Sequence, residues 1–160
     1  MKKIALFVDV QNIYYTCRQS YQRHFNYHAF WQQATAGREV IGAFAYAIDK
    51  KDAKQQGFQQ ILRTIGFEIK LKPYIQRSDG TAKGDWDVGI TLDVMEYAPQ
   101  ADVVLLASGD GDFDLLLQKI RRCYPVTTEV YGVPALTAPA LINATDKFVA
   151  INDSLLLPCL

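Results

Sequence analysis

The segment that decides the fold reads Val103-Val104-Leu105-Leu106-Ala107-Ser108-Gly109-Asp110-Gly111-Asp112-Phe113-Asp114. Its first five residues form a continuous apolar run, and such a run ended by a glycine turn predicts a strand buried on both faces. A second apolar run, residues 4–8, ends at Asp9. Because ligands of an open parallel sheet bind beyond the carboxyl ends of its strands, we expect Asp9 and Asp110 to face one crevice.

Strands and helices alternate along the whole chain. Strand-like segments lie near residues 3–9, 40–48, 67–74, 102–107, 126–131 and 147–151. Helical patterns lie between them, near residues 11–34, 51–65, 84–98, 111–123 and 135–144. This alternation predicts an α/β fold, a three-layer α/β/α sandwich with a mostly parallel central sheet. The chain has 160 residues and shows no repeat or linker, so we expect a single domain over residues 1–160.

The composition is typical of a soluble globular protein and limits the classes of function. Seventeen basic and seventeen acidic side chains give zero net charge, which argues against a broad non-specific nucleic-acid surface but allows a local basic strip. The three cysteines have no CxxC spacing, which favours a reducing cytosol over a disulfide framework or a zinc site. No segment has the length of a transmembrane helix, so we expect a cytoplasmic protein without membrane contact.

Several carboxylates in one crevice stay ionised together only if a cation neutralises them. A divalent metal held by Asp9, Asp110 and Asp112 is therefore the first hypothesis, with phosphodiester hydrolysis as its chemistry. The structural alternatives are that Asp9 caps the following helix and that Asp112 complements a helix dipole. Asn12, in the first turn of that helix, is placed to return towards the crevice.

The Asp-x-Asp-x-Asp spacing at residues 110–114 also invites comparison with a calcium-binding loop. That interpretation fails because Leu115 stands at the sixth position, where glycine is needed, and Arg121 stands at the twelfth, where glutamate is needed. Asp110 is instead predicted to lie exposed at a strand end, with Asp112 in the turn that opens the next helix.

The helix predicted near residues 84–98 carries two acids at different angles. Asp93 lies about 120° around the axis from Asp87 and about 9 Å along it, so the two are not expected to hold one metal together. Asp87, nearer the helix start, is predicted as a metal ligand. Asp93 is either a supporting acid of the site or a structural one.

A basic strip precedes this helix. It contains Lys70, Lys72, Arg77 and Lys83 within residues 70–83, and it is either a solvated face or a guide for a phosphate backbone. An aromatic-rich stretch, residues 14–31, is mostly core and helix surface, although one or two of its rings are free to stack on bases.

Three motifs together resemble a known family. They are Val8-Asp9-Val10-Gln11-Asn12, then Lys83-Gly84-Asp85-Trp86-Asp87-Val88 with Asp93, then Ser108-Gly109-Asp110-Gly111-Asp112-Phe113. Their order and spacing resemble the LabA-like branch of the NYN domains, in the PIN-like nuclease superfamily, over roughly residues 3–151. Two departures are Val10-Gln11, where the family often has a small pair, and Asp114, where it usually has an apolar or small residue.

The resemblance implies a Rossmann-like (PIN-like) sandwich with an acidic Mg²⁺ or Mn²⁺ site and ribonuclease activity. Carried over by position, it assigns metal-binding and catalytic roles to Asp9, Asp87, Asp110 and Asp112. Supporting positions are Asn12 and Asp93 on the catalytic side and Lys83 and Ser108 on the substrate side. Lys72 and Arg77, from the basic strip, are further predicted contacts to substrate.

Our leading hypothesis is a metal-dependent endoribonuclease acting on single-stranded or structured RNA. The alternative is a non-catalytic RNA- or protein-binding regulatory module that retains the acidic site. A small-molecule phosphatase is a third option, but the chain has no Asp-x-Asp-x-Thr motif. The apolar tail at residues 155–158 packs either on the body or on a second subunit, so a homodimer remains open.

Overall fold

In a computed structural model of the chain, residues 1–73, 75–76, 82–83 and 85–158 are described. The strands are β1 (Lys2–Asp9), β2 (Arg38–Asp49), β3 (Glu68–Pro73), β4 (Ile75–Gln76), β5 (Ala82–Lys83), β6 (Val103–Ala107), β7 (Thr127–Gly132) and β8 (Lys147–Ala150). The helices are α1 (Val10–Tyr21), α2 (Tyr27–Thr35), α3 (Ala53–Ile65), α4 (Asp87–Tyr97), α5 (Asp114–Cys123) and α6 (Pro139–Ala144). None of these helices is both long enough and apolar enough to cross a bilayer.

Six strands form one sheet in the order β3-β2-β1-β6-β7-β8, and every neighbouring pair is parallel. The predicted α/β fold class with its parallel central sheet is confirmed. Strands β1 and β6 are neighbours and pair over residues 4–8 and 103–107. The chain first runs outwards from β1 to β3 and then returns to β6, so the strand order reverses between β1 and β6. Such a reversal is where open α/β sheets bind ligands.

Two cores lie on the two faces of the sheet because successive residues of a strand point to opposite sides. On one face, Ile4, Leu6 and Val8 of β1 belong to the core that also contains buried residues of α1, α2 and α3. On the other face, Ala5 and Phe7 pack with buried residues of α4, α5 and α6. The result is the predicted three-layer arrangement, with β1 and β6 covered on both sides.

The single helix predicted over residues 11–34 is wrong, because the structure has two helices there. Gln22 adopts a left-handed conformation (φ 51°) that ends α1, and the Asn26 side chain caps α2 by accepting from the Ala29 N–H. Between them, Phe25 forms a β-bridge with Leu156. The C-terminal segment therefore packs on the body of the same chain, with Leu155 and Leu156 buried.

The predicted helix over residues 135–144 also begins later than expected. A 3₁₀ turn, Pro134–Leu136, comes first, and α6 starts at Pro139. Proline at a first helical position is favourable because its missing N–H has no partner to lose there. The 3₁₀ turn packs beside residues 108–113, the acidic loop that follows β6.

Candidate functional site

Asp9 and Asp110 lie at the same edge of the sheet, where the strand order reverses. Asp9 is the last residue of β1, and Val8 pairs with Ala107 at the end of β6. The next residue after β6, Ser108, is buried, and its hydroxyl donates to Asp9 Oδ2 at 3.2 Å. The two strand ends are thus joined side chain to side chain.

The loop after β6 is held by a chain of short hydrogen bonds. The Gly109 N–H donates to Asn12 Oδ1 at 2.8 Å, so the first turn of α1 fixes this loop. The Asp110 N–H donates to Ser108 Oγ at 3.1 Å, and the Asp112 N–H donates to Asp110 Oδ1 at 2.9 Å. Asn12 and Ser108 therefore orient the backbone that presents the acids.

The segment before α6 supports the loop from the other side. A Cβ added at Gly109 would lie 2.6 Å from the carbonyl oxygen of Leu136, and the Gly109 carbonyl accepts from the Ala138 N–H at 3.1 Å. Only glycine allows this close backbone approach. Sequence reasoning did not find this contact, which joins positions far apart in the chain.

Three carboxylates converge beyond this edge. Asp87, Asp110 and Asp112 each offer an oxygen within 4.8 Å of the others. Asp87 is the first residue of α4, so its carboxylate comes from a helix on one face of the sheet to meet the loop after β6. Mg²⁺ and Mn²⁺ prefer oxygen ligands of this kind. The donor set fits a divalent cation.

Electrostatics in this cluster are unfavourable without a cation. The pKa of Asp87 is raised to about 7, first by partial burial, then by a hydrogen bond with Asp110 that needs a proton on one of the two groups, and further by negative charge on Asp110, Asp85 and Asp9. The pKa of Asp9 is raised to about 6 by its burial, although its hydrogen bonds to the Asn12 N–H and Ser108 oppose the shift. A bound cation would favour the ionised forms.

Asp93 does not join the cluster. Its Oδ2 accepts from the Tyr46 hydroxyl at 2.7 Å and pairs with Lys70 Nζ at 2.7 Å. Tyr46 is fully buried, and its pKa is raised first by that burial and then by the bond to Asp93. The predicted ranking of Asp87 above Asp93 agrees with this placement, and Lys70 of the basic strip serves as the partner of Asp93.

A cation and an indole ring lie at the residues that precede α4. Lys72 Nζ lies 3.1 Å from the Asp85 carbonyl oxygen and 4.5 Å from the centre of the Trp86 ring. The Trp86 indole N–H donates to the Ala47 carbonyl at 2.8 Å, which fixes the ring against β2. The predicted substrate contact Lys72 therefore lies beside the residues that lead into α4. The sequence alone gave no role to Trp86.

The remaining predicted residues are placed as follows. Arg77 and the side chain of Lys83 lie outside the described residues. Asp114 begins α5, and its carboxylate accepts from the adjacent Leu115 N–H at 2.6 Å. Neither Asp114 nor the predicted metal ligand Asp9 is one of the three clustered acids. Asp9 accepts instead from the Ser108 hydroxyl and the Asn12 N–H.

Comparison with known proteins adds family information. The model of the family described as the NYN domain matches residues 3–152. The chain is 28% identical to the low amplitude and bright protein LabA of Synechococcus elongatus, over 94% of this chain and 84% of that protein. A crystal structure of a Vibrio parahaemolyticus protein of unknown function has 58% identity and a TM-score of 0.93, covering 98% of this chain and 96% of that one.

Proposed function

This chain belongs to the NYN domain family, and from that premise and the geometry of the acidic cluster we propose that it is a metal-dependent endoribonuclease. Its substrate is RNA, and its cofactor is Mg²⁺ or Mn²⁺. The observation that carries the proposal is the convergence of Asp87, Asp110 and Asp112 within 4.8 Å at the point where the strand order reverses.

Several features support a functional rather than a structural role for these acids. Among the residues that the structure describes, no lysine or arginine pairs with Asp9, Asp87, Asp110 or Asp112. Mutual repulsion of close carboxylates destabilises a fold unless a ligand compensates it. Perturbed acids grouped at a ligand-binding edge are therefore candidates for function.

In the proposed mechanism, Asp87, Asp110 and Asp112 would hold the cation, and Asp9, which lies outside that group of three, would add a fourth carboxylate from the end of β1. A Mg²⁺ or Mn²⁺ ion held there would supply the Lewis-acid chemistry for hydrolysis, namely activation of a water and stabilisation of charge on the phosphate. Asn12 and Ser108 position the loop that carries Asp110, because their hydrogen bonds define its backbone.

Contact with the RNA backbone comes from the border of the cluster. We expect the Lys72 ammonium, which lies beside the Asp85 carbonyl, to pair with a backbone phosphate. Neutralisation of that phosphate lowers the cost of bringing RNA to a cluster of carboxylates.

The test is a cleavage assay on labelled RNA with purified wild-type protein and Asp110→Asn. Wild type should cleave with Mg²⁺ or Mn²⁺ and stop when a chelator is added. Asp110→Asn should stay folded and cleave at least about a hundredfold more slowly, because the metal site loses a ligand. RNA binding without metal-dependent cleavage by wild type would replace this proposal with the regulatory-module hypothesis.

A further inference from the structure

The outward face of α1 extends the acidic site along the protein surface. Helix α1 buries Val10, Ile13 and Cys17 against the sheet, which leaves its other side to solvent. Asn12, in the first turn, contacts the acidic loop through Gly109. Tyr15 follows Asn12 by three residues, so it lies on the same side of the helix about 4.5 Å further along the axis.

Two tyrosines with exposed rings lie side by side at this position. Tyr14 is 41% exposed and Tyr15 is 49% exposed. Their ring centres are 5.3 Å apart at an interplanar angle of 76°, and Tyr14 also stacks on His24 at 5.7 Å. These contacts restrain the Tyr14 ring and leave much of the Tyr15 ring uncovered.

Polar groups continue the same face beyond the tyrosines. A shallow cleft of about 450 Å³ is lined by Tyr15, Arg18, Gln19 and Gln22. The Arg18 guanidinium donates to the Tyr14 hydroxyl at 3.3 Å, which keeps a positive charge beside both rings. Guanidinium and amide groups supply the donors and acceptors that phosphates and base edges require.

Residues 10–38, which include α1, have a different charge balance from the whole chain. Residues 10–38 contain three arginines and no aspartate or glutamate, although the full chain has zero net charge. Two of these arginines pair with acids elsewhere, Arg23 with Asp153 and Arg38 with Glu129. Arg18 lies on the open face of α1, so this face complements an anionic ligand.

We propose that the α1 face formed by Tyr14, Tyr15, Arg18, Gln19 and Gln22 binds unpaired nucleotides of single-stranded RNA next to the acidic cluster. A base stacks on Tyr15, and Arg18 pairs with a phosphate. The choice of RNA as the ligand rests on the proposed function. Bases inside a duplex have no free ring face for a tyrosine, so this α1 face selects single-stranded over double-stranded RNA.

The test measures binding to a fluorescein-labelled 12-nucleotide oligouridine by anisotropy, with chelator present so that no cleavage occurs. Tyr15→Leu keeps an apolar side chain without a flat ring and should weaken binding about tenfold. Tyr15→Phe keeps the ring and should bind like wild type. Arg18→Gln should make the fall of log affinity with log salt concentration shallower, by about 0.7 in slope. A duplex RNA should bind all four proteins equally.

The possible failures are distinguishable. If Tyr15→Leu binds oligouridine like wild type, this inference is overturned, whether or not wild type cleaves RNA. If Tyr15→Leu loses binding as expected but wild type never cleaves with Mg²⁺ or Mn²⁺, only the ribonuclease proposal fails. If sedimentation shows a wild-type dimer that Tyr15→Leu dissociates, the α1 face is a protein interface and the inference is overturned.

Discussion

Asp87 and Asp93 lie six residues apart on the same helix, and their surroundings are opposite. Asp93, in the middle of α4, meets the Lys70 ammonium and the Tyr46 hydroxyl, each at 2.7 Å. Asp87, at the start of α4, faces the carboxylates of Asp110 and Asp112. The Lys70 ammonium compensates the charge of Asp93, whereas neighbouring carboxylates repel the charge of Asp87.

The difference separates an acid that is paired within the fold from acids that have no cationic partner in the part of the chain that the structure describes. Asp93 is half-buried, and one of its oxygens contacts both an ammonium and a hydroxyl. These contacts stabilise the attachment of α4 to β2 and β3. Acids that are grouped without a compensating charge among the described residues lower stability, which makes them candidates for function. Substitution of the two kinds of acid should therefore have opposite effects on stability.

The largest expected effect on stability comes from Asp93→Asn. This change should lower the free energy of unfolding by about 1–3 kcal/mol, because the Lys70 charge loses its partner in a partly buried setting. Asp153→Asn is the matched control, since Asp153 also pairs with a basic side chain, Arg23, but is itself 91% exposed. The control should change the unfolding free energy by less than about 1 kcal/mol. Urea denaturation measures both, and equal losses in the two variants would contradict a special role for the Asp93 contacts.

Asp87→Asn should have the opposite effect on stability from Asp93→Asn. Removing one charge from the cluster relieves repulsion with Asp110 and Asp112, so the metal-free variant should melt at the same temperature as wild type or higher. Melting curves recorded in chelator measure this. A clear fall in melting temperature would show that Asp87 supports the fold, as Asp93 does.

A smaller effect should appear in the pH dependence of stability. The pKa values of Asp87 and Asp9 are raised from the ordinary 3.8 to about 7 and about 6. At a pH above 3.8, these two carboxyl groups therefore hold their protons more tightly in the folded state than in the unfolded state. Their contribution to stability therefore falls as pH rises from about 4 towards about 7. The metal-free melting temperature should rise on going from about pH 7.5 to about pH 5.

The variants and the cation provide the controls for this pH effect. Asp87→Asn should show a weaker pH dependence than wild type, because it lacks the acid with the larger shift. Mg²⁺ or Mn²⁺ added at about pH 7.5 should raise the wild-type melting temperature by binding the folded state. A pH profile that is identical in the two proteins would mean that Asp87 titrates normally.

Much of the fold was predictable because its main signals are local. The apolar runs at residues 4–8 and 103–107 are long enough to indicate buried strands, and they placed Asp9 and Asp110 at one edge. The angle between Asp87 and Asp93 around the helix axis likewise predicted that only Asp87 is a metal ligand. Such inferences need only the period of a helix and the alternation of a strand.

The missed features depend on contacts between distant parts of the chain. The break between α1 and α2 brings Phe25 to pair with Leu156, a contact that no local pattern indicates. The pairing of Lys70 with Asp93 needs the position of α4 over β3. The support of Gly109 by the carbonyl of Leu136 likewise appears only once the loop and the 3₁₀ turn are packed together.

The most direct test of the account compares RNA cleavage by wild type, Asp87→Asn and Asp93→Asn, at a temperature where circular dichroism shows all three folded. With Mg²⁺ or Mn²⁺, Asp87→Asn should cleave at least about a hundredfold more slowly than wild type, since it loses a metal ligand. Asp93→Asn should stay within about tenfold of wild type, because it loses only an indirect support. A larger loss in Asp93→Asn than in Asp87→Asn would contradict the division between a structural acid and an acid of the metal site.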